Sequence, residues 1–421
     1  MRNPLSLLAS PGVLRKSGFL KNVMDKQKLF LIALLILLPI VFVADVIFTH
    51  NAFTVRFPGG NDSVPRYVGA RAWLFEGLNP YREEVSERGQ IMIYGRLAND
   101  LGEDKARFAY PFYVIFFYVP LAGLNWEWAR AAGTVSLEIA MIVIAVTSWR
   151  MYKWTPPPWL FAITVIWLIV FYHGARTIIL WQFAGLSAML ITLGMWAIKE
   201  KKDVAAGLCF ALATAKPQMM FALLPLIGVW SLTARRWKLG ASLAVSLIVL
   251  VGVSFLFVPT WLSDMLYQIR SYQDYTDIGS PINTLTQIYF PFLGAPVEWG
   301  VVSLLVMWML WEWWQVRASD EGRYDWVVAL TLVITNLIAF RTATTNYVMM
   351  MPALFYVFAL MAQRWGTKAN VWIAVTEVVL FIGLWILFAI TVKGRVEQPP
   401  MYLPLPFTLL IALIILRPGT R

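Results

Sequence analysis

Charge is scarce in this 421-residue chain. Asp, Glu, Lys and Arg together make up 14% of it, against 59% hydrophobic residues. An ordinary soluble domain carries about 25% charged residues, so a soluble globular fold is excluded. Cysteine is rarer still. Cys209 stands alone, which rules out an intramolecular disulfide and a thiolate metal centre. Two histidines, His50 and His173, are too few for a histidine-built metal site. Low-complexity tracts and internal repeats are also missing from the sequence.

What the chain has is apolar length. Runs of about 20 hydrophobic residues, enough for a helix to cross a bilayer, recur from one end to the other. The sequence therefore predicts an all-α polytopic membrane protein. Twenty-one tryptophans agree, because indole rings gather where lipid meets water. The net charge of +11 implies no nucleic acid. Much of it falls in short loops between spans, where positive charge marks the inner side. The segment Lys28–His50 is too long for a cleaved signal and lacks a small-residue cleavage site. It reads as the first span.

Charge also sets the expected orientation. A basic arm over residues 1–28, with Arg2, Arg15, Lys16, Lys21, Lys26 and Lys28, places the N-terminus inside and suits anionic lipid heads. After a first span at Leu29–Phe48 comes a polar outer loop, 49–131. Within it Ala109–Leu124, bracketed by Pro111 and Pro120, reads as half-inserted from the outer face. A full crossing there would put Arg150, Lys153 and the cluster "KEKK" (199–202) outside, against the charge rule. Further spans are predicted near 132–149, 158–173, 177–198, 204–215, 217–231, 237–258, 296–316, 325–341, 344–362, 371–391 and 401–417. The short pair at 204–231 is flanked by basic groups on both sides, including "ARRWK" (234–238). It is expected to fold as a hairpin with "AKPQ" (215–218) at its tip, where Pro217 breaks the helix. The result is about twelve spans, both ends inside, and a second outer segment at 259–295.

Polar residues gather on the expected outer face, and ionisable groups at the rim of membrane helices usually have a partner or a task. Asp62 has two readings. As the N-cap of a helix over 63–76, it would be followed by Pro65 in the first turn, with Gly77 and Asn79-Pro80 at the far end. As a general base, it would take a proton from a hydroxyl. The two are compatible, since helix N–H groups favour an ionised carboxylate. Lys216 either snorkels to the interface or binds a lipid phosphate. A lysine at a helix centre costs about 2.5–3.5 kcal/mol, so a boundary position is expected. Arg176 in "YHGAR" (172–176), Arg270, and Arg341 in "NLIAFRTATTN" (336–346) each serve as anchors or as forks for phosphate oxygens. His173 reads as packed or interfacial, and Asp274 and Asp277 as solvated loop charges. The aromatic run Phe108–Tyr118 reads as an interface belt or as a groove for an isoprenoid chain.

Several short motifs follow Asp62 in a fixed order: "EGLNPY" (76–81), "FAYPFYVIFFYVPLAGL" (108–124), "LWQFAGLSAML" (180–190) and "ALATAKPQMMFALLPLIGVWSLTARRW" (211–237). Their order and spacing resemble glycosyltransferase family 87, which includes the mycobacterial phosphatidylinositol-mannoside mannosyltransferases and belongs to the C-type superfamily of membrane glycosyltransferases. The likeness covers residues 29–260, a catalytic transmembrane module, and leaves 261–421 as a variable C-terminal module. Two positions depart from the family pattern. Phe112 replaces the second proline of a "YPP" element, and Trp181-Gln182 stands where "GQ" is usual.

The resemblance implies a C-type glycosyltransferase fold in the plasma membrane with its active site outside. It implies transfer of one sugar, mannose foremost, from a polyprenyl phosphate to a lipid or glycan hydroxyl, with inversion and with Asp62 as base. Lys216, Arg341, Arg270 and Arg176 are the expected ligands of the donor phosphate. Glu76, Asn79, Tyr81, Tyr110, Gln182 and Gln218 are the expected substrate-binding set. No cofactor or metal is expected, because preorganised cations suffice for a leaving phosphate. Two rivals differ in class. A polymerase or ligase of lipid-linked glycans would place its largest loop late in the chain. A lipid or glycan transporter would show broken helices in both halves, whereas one break, near 216, is visible.

Overall fold

A computed structural model describes residues 35–99, 103–271, 279–316, 321–339, 342–394 and 397–418. Arg341, Asp274, Asp277 and the basic arm lie outside these residues. The regular elements among these residues are all helices, with no strand. This is what a bilayer requires of an open chain, since each backbone group must find its partner within its own segment.

Six helices are long and apolar enough to cross a membrane. They are Leu35–Thr54, Trp126–Met151, Trp237–Phe257, Pro291–Trp314, Thr344–Trp365 and Lys368–Thr391. A seventh arises if Pro158–Val170 and Tyr172–Ile179, bent by 50°, count as one span. The chain is thus a multi-pass membrane protein. A helix stands wherever the sequence places a span, but length and composition admit six or seven crossings rather than twelve. Ala184–Lys199, Asp203–Ala213, Leu223–Thr233 and Pro399–Ile415 are shorter apolar helices. The region 109–124 holds only a 3-10 turn, Phe112–Phe117, and the four-residue helix Val119–Ala122. Phe112, Val114 and Ile115 there are fully buried in protein.

Burial sorts the helices into a centre and a rim. In the 18-residue apolar stretch of Thr344–Trp365, 89% of residues are buried, and in that of Trp126–Met151 67%, against 6% in those of Leu35–Thr54 and Pro291–Trp314. Glu321–Ile338 belongs to the centre, with Val327, Leu330, Val333 and Ile334 wholly enclosed. The rim turns outward such side chains as Leu256, Phe292 and Trp314. Apolar groups this exposed are stable where lipid covers them.

One end of the bundle is closed by ion pairs. Lys199 meets Asp325 at 2.5 Å, Arg236 meets Asp203, and the buried Glu312 takes both Arg323 and Arg417. The helix Ala184–Lys199, 16 residues long, carries the chain about 24 Å from this clamp to the opposite end, where the polar residues discussed below converge.

Helix Asp203–Ala213 packs between Ala184–Lys199 and Trp237–Phe257. Gly207 makes the second contact possible. A Cβ there would stand 2.6 Å from the Leu243 amide nitrogen and 2.9 Å from the Leu239 carbonyl oxygen, and backbone cannot move aside. Small residues play this part wherever membrane helices touch closely. Gly207→Val is expected to separate the pair and cost about 1–3 kcal/mol, read as a lower melting temperature of the purified protein in detergent. An unchanged melting temperature would refute this packing.

Candidate active site

The segment after the first helix is held mainly through its backbone. Arg130, buried on helix Trp126–Met151, donates to the Phe57 carbonyl at 2.6 Å and to that of Pro58 at 3.4 Å. The Gly60 amide donates to the Ile179 carbonyl at 3.0 Å. Gly60 has φ +76, a left-handed conformation in which a side chain is strained. Any Cβ here would also press on Trp126 and Arg130 at 3.0 and 3.1 Å.

Asn61–Ser63 then form a 3-10 turn, and the helix Val64–Glu76 follows. Gly77, at φ +65, ends it as expected. The N-cap is Ser63, without a side-chain capping bond, so Asp62 is not the cap that the pattern suggested. Its carboxylate has a stronger partner elsewhere. Ser63 is engaged as well: its Oγ donates to the Trp181 carbonyl and therefore accepts from Tyr118 Oη at 2.7 Å.

Asp62 Oδ2 accepts from Gln182 Nε2 at 2.7 Å. Gln182 Oε1 accepts in turn from Lys216 Nζ, also at 2.7 Å. The amide orientation follows from chemistry, because a carboxylate only accepts and an ammonium only donates. Gln182 thus stands between a carboxylate and an ammonium that are 154 positions apart in sequence. Lys216 is 1% exposed and Gln182 6%; Asp62 is half-buried, so a ligand can reach it. Lys216 sits where the chain breaks between helices Asp203–Ala213 and Leu223–Thr233, beside the short helix Pro217–Met220.

Arg66, one helical turn on from Asp62, donates to the Asp62 carbonyl. Its guanidinium lies 3.7 Å from the centre of the Tyr110 ring. The Tyr110 carbonyl accepts from Tyr81 Oη at 2.6 Å, and Asn79 fixes the turn by accepting from the Tyr81 amide. Three cations, Arg66, Lys216 and Arg176, act on Asp62. Burial nevertheless dominates and raises the Asp62 carboxyl above the ordinary aspartate value. Burial likewise lowers the Lys216 ammonium well below its ordinary value, helped by Arg66 and opposed by Asp62. Three cations acting on one half-buried carboxylate fit an anionic ligand beside a group that takes up a proton.

Among the residues singled out from sequence, Asp62, Gln182, Lys216, Arg176 and Tyr110 come together, and Asn79 and Tyr81 support them. Gln218 is half-buried two residues beyond Lys216. Glu76 is exposed and pairs with Arg88 at 2.6 Å. Arg270 is exposed near the end of helix Trp261–Ser271. His173 is packed among Phe171, Tyr172 and Tyr347. Sequence reasoning missed Arg66, Ser63, Tyr118 and Arg130. The four-residue spacing of Arg66 from Asp62 was a usable signal; the other three act through contacts distant in sequence.

Trp181, just before Gln182, has φ +49. An aromatic residue in this region carries about 1–2 kcal/mol of strain. Glycine adopts it freely, which accounts for "GQ" as the usual pair. Here the indole fills space above Gly133, where a Cβ would stand 2.0 Å from the ring.

These features describe a membrane-embedded protein with a charged site at the end of its helices. A family model, Glycosyltransferase family 87, matches residues 108–340, more than half the chain. The protein belongs to that family and is a membrane glycosyltransferase. No curated protein and no solved structure matches the chain. The match includes Gln182 and Lys216 but starts beyond Asp62, so the place of Asp62 in the site rests on its geometry.

The bridging amide lowers the Asp62 pKa, against the effect of burial. Gln182→Leu removes that contribution and leaves two charged groups short of a hydrogen bond. Sugar transfer is expected to fall by roughly 10- to 100-fold. The acid limb of its pH profile should move to higher pH, because Asp62 then protonates more readily. A limb that stays in place would disconnect Gln182 from Asp62.

Proposed function

We propose that this protein transfers a single sugar, mannose foremost, from a polyprenyl phosphate to a hydroxyl of a lipid or glycan acceptor. The observation that carries this reading is the Asp62–Gln182–Lys216 bridge, with Arg66 and Arg176 acting on the same carboxylate. The choice of mannose and of a polyprenyl carrier comes from the family resemblance.

Asp62 Oδ2 is taken by Gln182. Oδ1 faces the acceptor hydroxyl and removes its proton as the oxygen attacks the anomeric carbon. The new C–O bond forms on the face opposite the phosphate, so configuration inverts. The old bond to the phosphate oxygen breaks, and its electron pair leaves on the polyprenyl phosphate. Lys216, Arg66 and Arg176 stabilise that growing charge, which they do best in a buried, preorganised setting. A bound phosphate also favours the ammonium form of Lys216, opposing the effect of burial, since a nearby negative charge raises a lysine pKa. The raised Asp62 pKa suits a base, which works best with a pKa near the working pH. This chemistry needs no metal.

Purified protein given radiolabelled polyprenyl-phosphate mannose and a membrane-lipid extract tests the reading. Asp62→Asn is expected to cut transfer by about 10²–10⁴-fold and Lys216→Met by about 10²–10³-fold. Wild-type transfer should persist in EDTA. Full activity in Asp62→Asn would remove the base; loss of activity in EDTA would remove the metal-free step.

The reading places the site on the extracytoplasmic face, with both chain ends inside and the shorter apolar helices completing a C-type bundle of about twelve crossings. Pro217 is exposed beside Lys216. In a Cys209→Ala background, Pro217→Cys is expected to react with an impermeant thiol reagent added from outside the cell. Labelling only from the cytoplasmic side would invert this topology.

A further inference from the structure

Glu397 lies far beyond the family match and outside every motif read from the sequence. It follows helix Lys368–Thr391 and precedes the turn Pro399–Tyr402. Its Oε1 accepts two short hydrogen bonds, from Tyr172 Oη at 2.5 Å and Thr344 Oγ1 at 2.6 Å. Oε2 accepts none among the described residues. The side chain is half-buried, and the two bonds to Oε1 hold the second oxygen in a fixed direction.

Tyr172 begins the helix Tyr172–Ile179, and this helix leads directly to the Asp62 loop. Arg176 is one turn along it. The Ile179 carbonyl at its end holds the Gly60 amide, two residues before Asp62. The helix rise separates Tyr172 from Ile179 by roughly 10 Å. Glu397 acts electrostatically on both Asp62 and Arg176, but forms no direct ion pair with Arg176 among the described residues. The Arg176 Nε is buried without a partner. Among the described residues, one carboxylate oxygen of Glu397 and the Nε of Arg176 are therefore without a hydrogen-bond partner.

Phosphate does not belong beside Glu397, because like charges repel. Lys216 and Arg66 offer it a better place next to Asp62. What suits an oriented carboxylate oxygen is a neutral donor, and a pyranose presents several hydroxyls. We propose that Glu397 is a sugar-binding residue, its Oε2 accepting from a ring hydroxyl of the sugar that lies between it and Asp62. Tyr172 and Thr344 are the positioning residues that aim it. This rests on the transferase reading above. Either the sugar being transferred or a sugar of the acceptor supplies such hydroxyls, and the test separates the two.

Glu397→Gln keeps the shape and one acceptor oxygen for Tyr172 and Thr344. It is expected to raise KM by about tenfold or more for one substrate, with a smaller change in kcat. A rise for polyprenyl-phosphate mannose assigns the hydroxyl to the donor; a rise for the lipid acceptor assigns it to the acceptor. Deoxy-mannose donors give a second arm. The penalty that wild type shows for the missing hydroxyl should shrink in Glu397→Gln if the donor is bound there. If turnover is too low for kinetics, the Kd of each substrate is measured in Asp62→Asn with and without Glu397→Gln. Unchanged KM and Kd for both substrates would overturn the proposal, as would a loss confined to kcat. A separate result, full activity in Asp62→Asn, would instead bring down the transferase mechanism itself.

Discussion

A neutral amide holds this site together by keeping two opposite charges apart. If Asp62 and Lys216 touched, each would satisfy the other, and neither would remain for a substrate. Gln182 gives each one hydrogen bond and leaves each with capacity to spare. The carboxylate keeps an oxygen for a hydroxyl, and the ammonium keeps two N–H groups for an anion. Burying two charges without direct contact is costly, so the surroundings must compensate. Arg66 supplies the nearest extra charge, and its own desolvation is eased by the Tyr110 ring beneath it. Much of the local architecture follows from this need: the 3-10 turn at 61–63, the strained Trp181, and the break in the helix at Lys216.

The membrane character was legible because it depends on summed apolar length. Positions of helices came through for the same reason, as did the glycine end of the helix after Asp62. The number of full crossings is less legible: six or seven helices have the length and hydropathy of one, against twelve segments read from the sequence. Apolar composition is the same in a helix that spans and in one that stops halfway, and the helix breaks at Phe171 and Lys216 fit either. In 109–124, read from sequence as half-inserted, two prolines limit helix growth, and the structure has only a short 3-10 turn and a four-residue helix. Its burial in protein rather than lipid was beyond the reach of composition.

The site was legible to a different depth. Asp62, Gln182 and Lys216 came from motif order, and all three meet in space. The role of Asp62 as a helix cap was wrong, because a local rule lost to a partner 120 residues away. Arg176 and Tyr110 lie close by, whereas Glu76 and Arg270 are exposed and Arg341 falls outside the described residues. Glu397 carried no signal. Its neighbours Tyr172 and Thr344 are distant in the chain, and "VEQPP" reads as an ordinary turn.

The Asp62 loop is gripped by atoms that every amino acid possesses. Arg130 holds two carbonyls, Arg66 a third, and the Gly60 amide reaches a fourth on another helix. Side chains at Phe57 and Asn61 take no part in these bonds. Apart from Gly60, whose left-handed backbone leaves no room for a side chain, such a loop can drift in sequence while its shape persists. The Asp62 carboxylate can then remain in place within a stretch whose letters vary. A recognisable motif and a preserved geometry become separate things, and the second outlasts the first.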